Sequence, residues 1–331
     1  MNYDWLGVQN AEKRNLQKNA NFIGVGMILL VLFMQYTFTV VLLPFLLSGA
    51  VTPEDVQYDP FLGLGNTRFL LLYSMVYTFG MGVPMLLAAL FFRPPVNPFR
   101  PHDKVSPGTV IASLLTGMAV CIVANFVASY LMSIFQMFGI KQPTSPQMLI
   151  DTPLSLVINI FVVAVLPALL EEMVFRGYVL QVLRPYGAGL AIVASSLLFS
   201  LMHGNVMQIP FAFIVGLALG FVVVKTNCIW VACGLHFLNN LMSVLLEYFT
   251  MHMEEMQAQR LIYIVFGAVA LAGLVAFIIS YAVHGALAKP MERSASPLTA
   301  GQRARVFFGS PAIIISIVVF ALATLQSILT S

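Results

Sequence analysis

The chain has 331 residues and a net charge of +3, with 60% apolar and only 9% charged residues, and a mean hydropathy of +0.92. A soluble domain carries roughly 25% charged residues, so a soluble enzyme and a disordered chain are both excluded. With no basic stripe along the chain, nucleic acid is excluded as a partner as well. Cys121, Cys228 and Cys233 all sit in apolar stretches, where packing is expected of them rather than a disulfide framework or a thiolate metal cluster.

The composition is that of an all-α, polytopic transmembrane bundle in a lipid bilayer. A crossing helix needs about 20 apolar residues. In chain order such stretches fall at 21–48, 69–92, 109–138, 154–183, 188–203, 207–224, 228–249, 261–286 and 311–329. That predicts nine spans, or eight if 188–203 is re-entrant. The first is too long for a signal-peptide core and reads as an uncleaved anchor. The polar piece 287–306 reads as a flexible loop. Grouped by position, 1–107 holds a tail and spans one and two. Residues 108–250 hold the core, and 251–331 hold spans eight and nine with the loop between them.

Basic residues predict the orientation. With the N-terminus inside, twelve of the sixteen Lys and Arg fall in inner segments. Arg68, Lys141 and Arg260 fall outside, and Arg176 lies within a span. The outer connections hold most of the acidic residues, among them Glu54, Asp55, Asp151 and Glu254.

Ionisable groups at membrane depth are costly, so each needs a reason. They are few: Glu171, Glu172 and Arg176 in span four, His203 ending span five, His236 in span seven and His284 in span eight. Every aspartate lies in a connection, which excludes an intramembrane aspartyl dyad. There is no H-E-x-x-H and no G-x-S-x-G. Glu172 and Arg176 are i,i+4 neighbours and are expected to pair. Glu171 lies about 100° round the helix, beyond easy reach of that arginine, and is left free for chemistry. His236 and Asn240 share a face, as do Phe199 and His203. His284 matches no pattern and is expected to be structural, as are Asn205 and Asn239. Ser195, Ser196 and Ser200 are expected to give small-residue packing.

The connection around Gly187 is a turn sequence. Glu171 precedes Gly187 by sixteen residues and His203 follows it by sixteen. In an antiparallel hairpin the two side chains are therefore expected at one depth, facing each other. His236 is expected towards the inner leaflet.

Three motifs now stand in order. Glu171-Glu172-Met173-Val174-Phe175-Arg176 reads E-E-x-x-x-R, Phe199 to His203 reads F-x-x-x-H, and His236 to Asn240 reads H-x-x-x-N. Each alone is weak; all three inside membrane spans resemble the CPBP intramembrane proteases, the CAAX-processing and bacteriocin-processing enzymes of the Rce1-like or Abi type. The resemblance covers about 155–245 and places the catalytic core on spans four, five and seven. It implies that Glu171, helped by His203, activates a water and that His236 and Asn240 stabilise the oxyanion. Glu172 and Arg176 would be supporting residues. The residue chemistry agrees: a carboxylate shielded from water suits a base, and fixed imidazole and amide donors suit an oxyanion. The preferred reading has no metal; a zinc ion, if one is used, would take Glu171, His203 and His236.

The expected partner is a peptide or a membrane-anchored protein, cleaved near the inner face. The expected setting is a bacterial plasma membrane with the N-terminus cytoplasmic. The residues alone also suit a transporter or channel that uses them as a proton or ion relay, although no internal repeat supports it. A non-catalytic immunity scaffold is the third class. The sequence sets neither the oligomeric state nor the cleavage sequence.

Overall fold

A computed structural model describes residues 5–59, 61–91, 105–140, 150, 152–283, 285, 287–291 and 294–329. All regular structure among them is helical. Eight helices are long and apolar enough to cross a membrane, and the chain is an integral membrane bundle. His284, Asp151 and Lys141 lie outside the described residues, as do Glu292 and Arg293 in the polar loop.

Helix α1 (Trp5–Leu47) has 43 residues. At about 1.5 Å per residue it is roughly twice the 30 Å thickness of a hydrocarbon core. The polar tail is thus not separate: Ala11 to Asn19 holds no Gly or Pro and, its two asparagines apart, consists of good helix formers that extend the first span. After the short α2 (Pro53–Tyr58), α3 (Asn66–Phe91) returns beside α1. Thr52 caps α2: its backbone N–H and its hydroxyl both reach the Asp55 carboxylate. These bonds, the backbone one foremost, hold that carboxyl below its ordinary value. Their support for α2 is present above the unfolded value and lost as pH falls through the folded one.

Helix α4 (Pro107–Met137) packs on α9, α10 and α11. The fourth span is one run, Pro153–Tyr186, built of α5 (Pro153–Asn159), α6 (Leu166–Glu172) and α7 (Leu180–Leu183). Wider turns at Ile160–Val165 and Met173–Val179 join them, in which Leu166 and Leu180 donate to carbonyls five residues back. A tight turn at Arg184–Tyr186 follows, and Gly187 reverses the chain at φ 126°, a conformation that side-chain-bearing residues rarely adopt. The expected turn is therefore where the sequence placed it.

Helix α8 (Ala188–Met202) corresponds to the expected fifth span but has only 15 residues, about 22 Å, too short to cross alone. Its following loop extends the reach: Gly204 O accepts from Ser327 near the end of the last span. Helices α9 (Gln208–Thr226) and α10 (Ile229–Thr250) form the next hairpin. Pro210 sits in the first turn of α9, where no intrahelical donor is lost. Helix α11 (Glu255–Ala282) lies against α4.

Part of the expected loop 287–306 is in fact helical, as α12 (Ala300–Phe308). Thr299 and Gln302 form a reciprocal capping box there, and Phe307 is fully buried. Arg303 donates to the Tyr186 carbonyl, and Asn19 of α1 donates to the Tyr186 hydroxyl. The N- and C-terminal regions thus clamp the turn at Gly187. Helix α13 (Pro311–Leu329) completes the bundle against α1.

Small residues set the closest helix contacts, as expected where lipid offers no hydrophobic drive. At Gly24 of α1 a Cβ would collide with the Ala312 backbone of α13, whereas at Gly26 it would meet nothing. Gly24→Val therefore forces the two helices apart, at about 1–3 kcal/mol, and lowers the melting temperature in detergent. Gly26→Ala does not lower it.

Candidate active site

The E-E-x-x-x-R motif sits where the fourth span is least regular. Glu171 and Glu172 end α6, and the wide turn Met173–Val179 begins immediately after them. Irregular backbone at membrane depth persists only when its polar groups find partners. Two side chains supply them: Asn240 Nδ2 donates to Val163 O at 2.9 Å, and Gln181 Nε2 donates to Arg176 O at 3.0 Å. Turns of this kind recur at functional sites.

Glu172 and Arg176 are fully buried. Arg176 Nη1 lies 2.9 Å from Glu172 Oε1, the expected pair. Arg176 Nη2 donates to Gly216 O of α9 at 3.1 Å, and the guanidinium stands 4.5 Å from the centre of the Phe199 ring. Gly216 packs tightly on α8, since a Cβ there would lie 3.0 Å from that of Ser196. One ion pair on the fourth span is thus tied to both neighbouring helices.

His236 of α10 stands between the two carboxylates. Its Nδ1 lies 3.0 Å from Glu172 Oε1 and its Nε2 lies 3.7 Å from Glu171 Oε2. A carboxylate in an ion pair only accepts, so Nδ1 carries the hydrogen and Nε2 faces Glu171. Glu171 is bound on its other oxygen: Tyr77 of α3 donates its hydroxyl to Oε1. Among the described residues Oε2 has no hydrogen-bond donor, and it is buried.

The structure therefore brings Glu171, Glu172, Arg176 and His236 together. His203 comes close only indirectly. Its Nδ1 lies 2.9 Å from Phe199 O; a carbonyl only accepts, so in the neutral ring Nε2 keeps the lone pair. The Phe199 ring lies edge-on to His203 at 4.9 Å and to His236 at 6.0 Å. The expected face-to-face meeting of Glu171 and His203 does not take the form of a hydrogen bond or ion pair. Asn240 gives one amide hydrogen to Val163 and accepts from Asn239 on its oxygen at 3.0 Å. Its second amide hydrogen is not taken by either neighbour.

Sequence reasoning missed Tyr77, Gly216 and the central place of Phe199. A signal for Tyr77 existed: a buried phenol seeks a hydrogen-bond partner, and Phe69, Tyr73, Tyr77 and Met81 recur at helical spacing on α3. Ser195, Ser196 and Ser200 are buried and donate to carbonyls of their own helix, in keeping with packing roles. The three cysteines are free and buried. Among the described residues no group of three or more His, Cys, Asp or Glu side chains is placed to hold a metal ion. Glu171 and His236 approach each other, but His203 does not join them as a third ligand.

Breaking a buried ion pair from one side costs about 3–5 kcal/mol, because the other charge is stranded. Arg176→Met should therefore lower the melting temperature strongly. The double variant Glu172→Gln with Arg176→Met should recover part of the loss in a double-mutant cycle. Additive losses would show that the pair is not coupled.

Residues 153–242 match the family model described as Type II CAAX prenyl endopeptidase Rce1-like. No curated protein and no solved structure matches the chain. The matched stretch holds Glu171, Glu172, Arg176, Phe199, His203, His236 and Asn240, whereas Tyr77 lies outside it. The segment from α5 into α10 is accordingly similar to the Rce1-like domain of CAAX-type endopeptidases, and it is carried in an integral membrane bundle.

Proposed function

We propose that the protein is an intramembrane endopeptidase in which Glu171 is the general base. The observation that carries this reading is the buried pair formed by Glu171 Oε2 and His236 Nε2, 3.7 Å apart, beside a carboxylate already held by arginine. A water about 2.8 Å from each atom fits as the apex of a triangle on that base.

Glu171 Oε2 takes a proton from this water as its oxygen attacks the scissile carbonyl. The proton passes to His236 Nε2, whose Nδ1–H is held by Glu172, so the imidazolium that forms lies between two carboxylates. It donates to the oxyanion beside the remaining amide hydrogen of Asn240. His236 then gives the proton to the departing nitrogen as the C–N bond breaks, leaving an amine and a new carboxyl group. The two hydrogens of the water go to Glu171 Oε2 and His236 Nε2, and His203, with Nδ1–H committed to Phe199 O, assists Glu171 from beside the Phe199 ring. Donors fixed in a dry site do not reorganise during reaction, which is where such stabilisation is strongest.

The preferred reading is metal-free. The zinc set of Glu171, His203 and His236 is not assembled as a ligand group among the described residues. Exhaustive chelation should leave the rate of the purified protein in liposomes unchanged, and added zinc should not raise it.

The substrate we propose is a peptide segment of a membrane-anchored protein or a lipid-modified tail, in keeping with the CAAX-type domain. The setting is a bacterial plasma membrane, with the basic tail of α1 on the cytoplasmic side. New protein N-termini in membranes carrying the wild type or Glu171→Gln at equal abundance test the reading directly. Termini present only with the wild type are expected, with the rate at those sites reduced about 10²- to 10⁴-fold by the substitution. Identical termini in both membranes would overturn it.

A further inference from the structure

We propose that Tyr77 is a positioning residue for the reaction: its hydroxyl fixes Glu171 Oε1 so that Oε2 is the oxygen turned to the water and to His236. The inference rests on the reading of Glu171 as the base. It adds to the site a residue from α3, outside the segment that matches the family model.

The geometry is specific. Tyr77 and Glu171 are both buried. The phenol hydroxyl donates to Oε1, whereas Oε2 has no hydrogen-bond donor among the described residues and faces His236 Nε2. A carboxylate on a two-carbon stem rotates freely unless an oxygen is held, and this is the bond that holds it. Without it, either oxygen can face His236, and the carboxylate loses the single orientation that proton transfer needs.

The phenol is itself held. The Tyr73 ring stacks on Tyr77 with centres 5.9 Å apart and planes 25° apart, and Phe69 stacks on Tyr73 at 6.4 Å. Phe61, from the segment before α3, meets Phe69 edge-on at 5.7 Å. The row follows the i,i+4 face of α3. The helix cannot easily turn about its axis, because Gly80 packs against α1 so closely that a Cβ would lie 3.1 Å from Met34 Cα. Tyr77 is thus a donor set in place by its own helix before Glu171 reaches it.

A structural role alone would make Tyr77 a packing ring, and Tyr77→Phe preserves that ring and its stack. The first test places 3-fluorotyrosine at position 77 of the full-length protein in detergent and reads its fluorine resonance. Glu171→Gln is expected to move the resonance, while Glu247→Gln at the far end of α10 leaves it in place. The second test follows cleavage of an internally quenched peptide with a prenylated CAAX tail in liposomes. Tyr77→Phe is expected to lower kcat roughly ten- to a hundredfold, as befits a hydrogen bond to a charged group, with KM unchanged. A resonance indifferent to Glu171→Gln overturns the proposal. So does full kcat in Tyr77→Phe, or a change confined to KM. Were Glu171→Gln to move the resonance yet cleave at the wild-type rate, the hydrogen bond would stand and the general-base reading would fall, taking the catalytic meaning of Tyr77 with it.

Discussion

The pairing of Glu172 with Arg176 is the constraint on which the site depends. Both side chains are wholly buried, where charge separated from its partner is least tolerable. The guanidinium cannot leave the carboxylate, and it also reaches Gly216 O on α9 and the Phe199 ring on α8. Glu172 reaches His236 on α10 through the same oxygen. Four helices are thus registered by one charged contact that apolar packing could not specify, since lipid and leucine are much alike to a helix surface. The position of His236, and with it the approach to Glu171, follows from this registration.

The broken path of the fourth span follows from the same requirement. A regular helix commits each interior carbonyl to one of its own amides. The wide turns displace them: Val163 O is taken by Asn240 and Arg176 O by Gln181. Asn240 therefore stands at the junction of fold and chemistry, with one amide hydrogen securing backbone and the other available to the site. A substitution there acts on both, so loss of activity alone would say little about which role matters.

Much of the site was legible in the chain because spacing within one helix fixes which side chains share a face. Glu172 with Arg176 is the plainest case, and Gly187 as the turn is another. What spacing does not give is the rotation of one helix against another. Glu171 and His203 are equidistant from Gly187, yet the ring nitrogen of His203 meets Phe199 O of its own helix, and the partners of Glu171 are Tyr77 and His236. The partner of Tyr77 was illegible for a related reason: nothing in α3 itself says which helix its hydroxyl will meet. The fifth apolar segment read as a full span because hydropathy counts residues, whereas α8 ends at Met202 and relies on the following loop to gain depth. In α12 the signal was present in Thr299 and Gln302 but lay within a segment whose polarity suggested a loop.

The distribution of partners along the chain also bears on how the protein enters its membrane. Synthesis runs from the N-terminus, so α3 and its phenol are made before Glu171 emerges. Glu172 carries its own counter-charge four residues later, within the same helix. The two carboxylates, the costliest groups to place in a bilayer, thus each have a partner by the time their span is complete. His236 arrives last, on α10, to a pair that is already provided for. The most polar span of the molecule can be inserted in chain order, without waiting for the helix that completes the site.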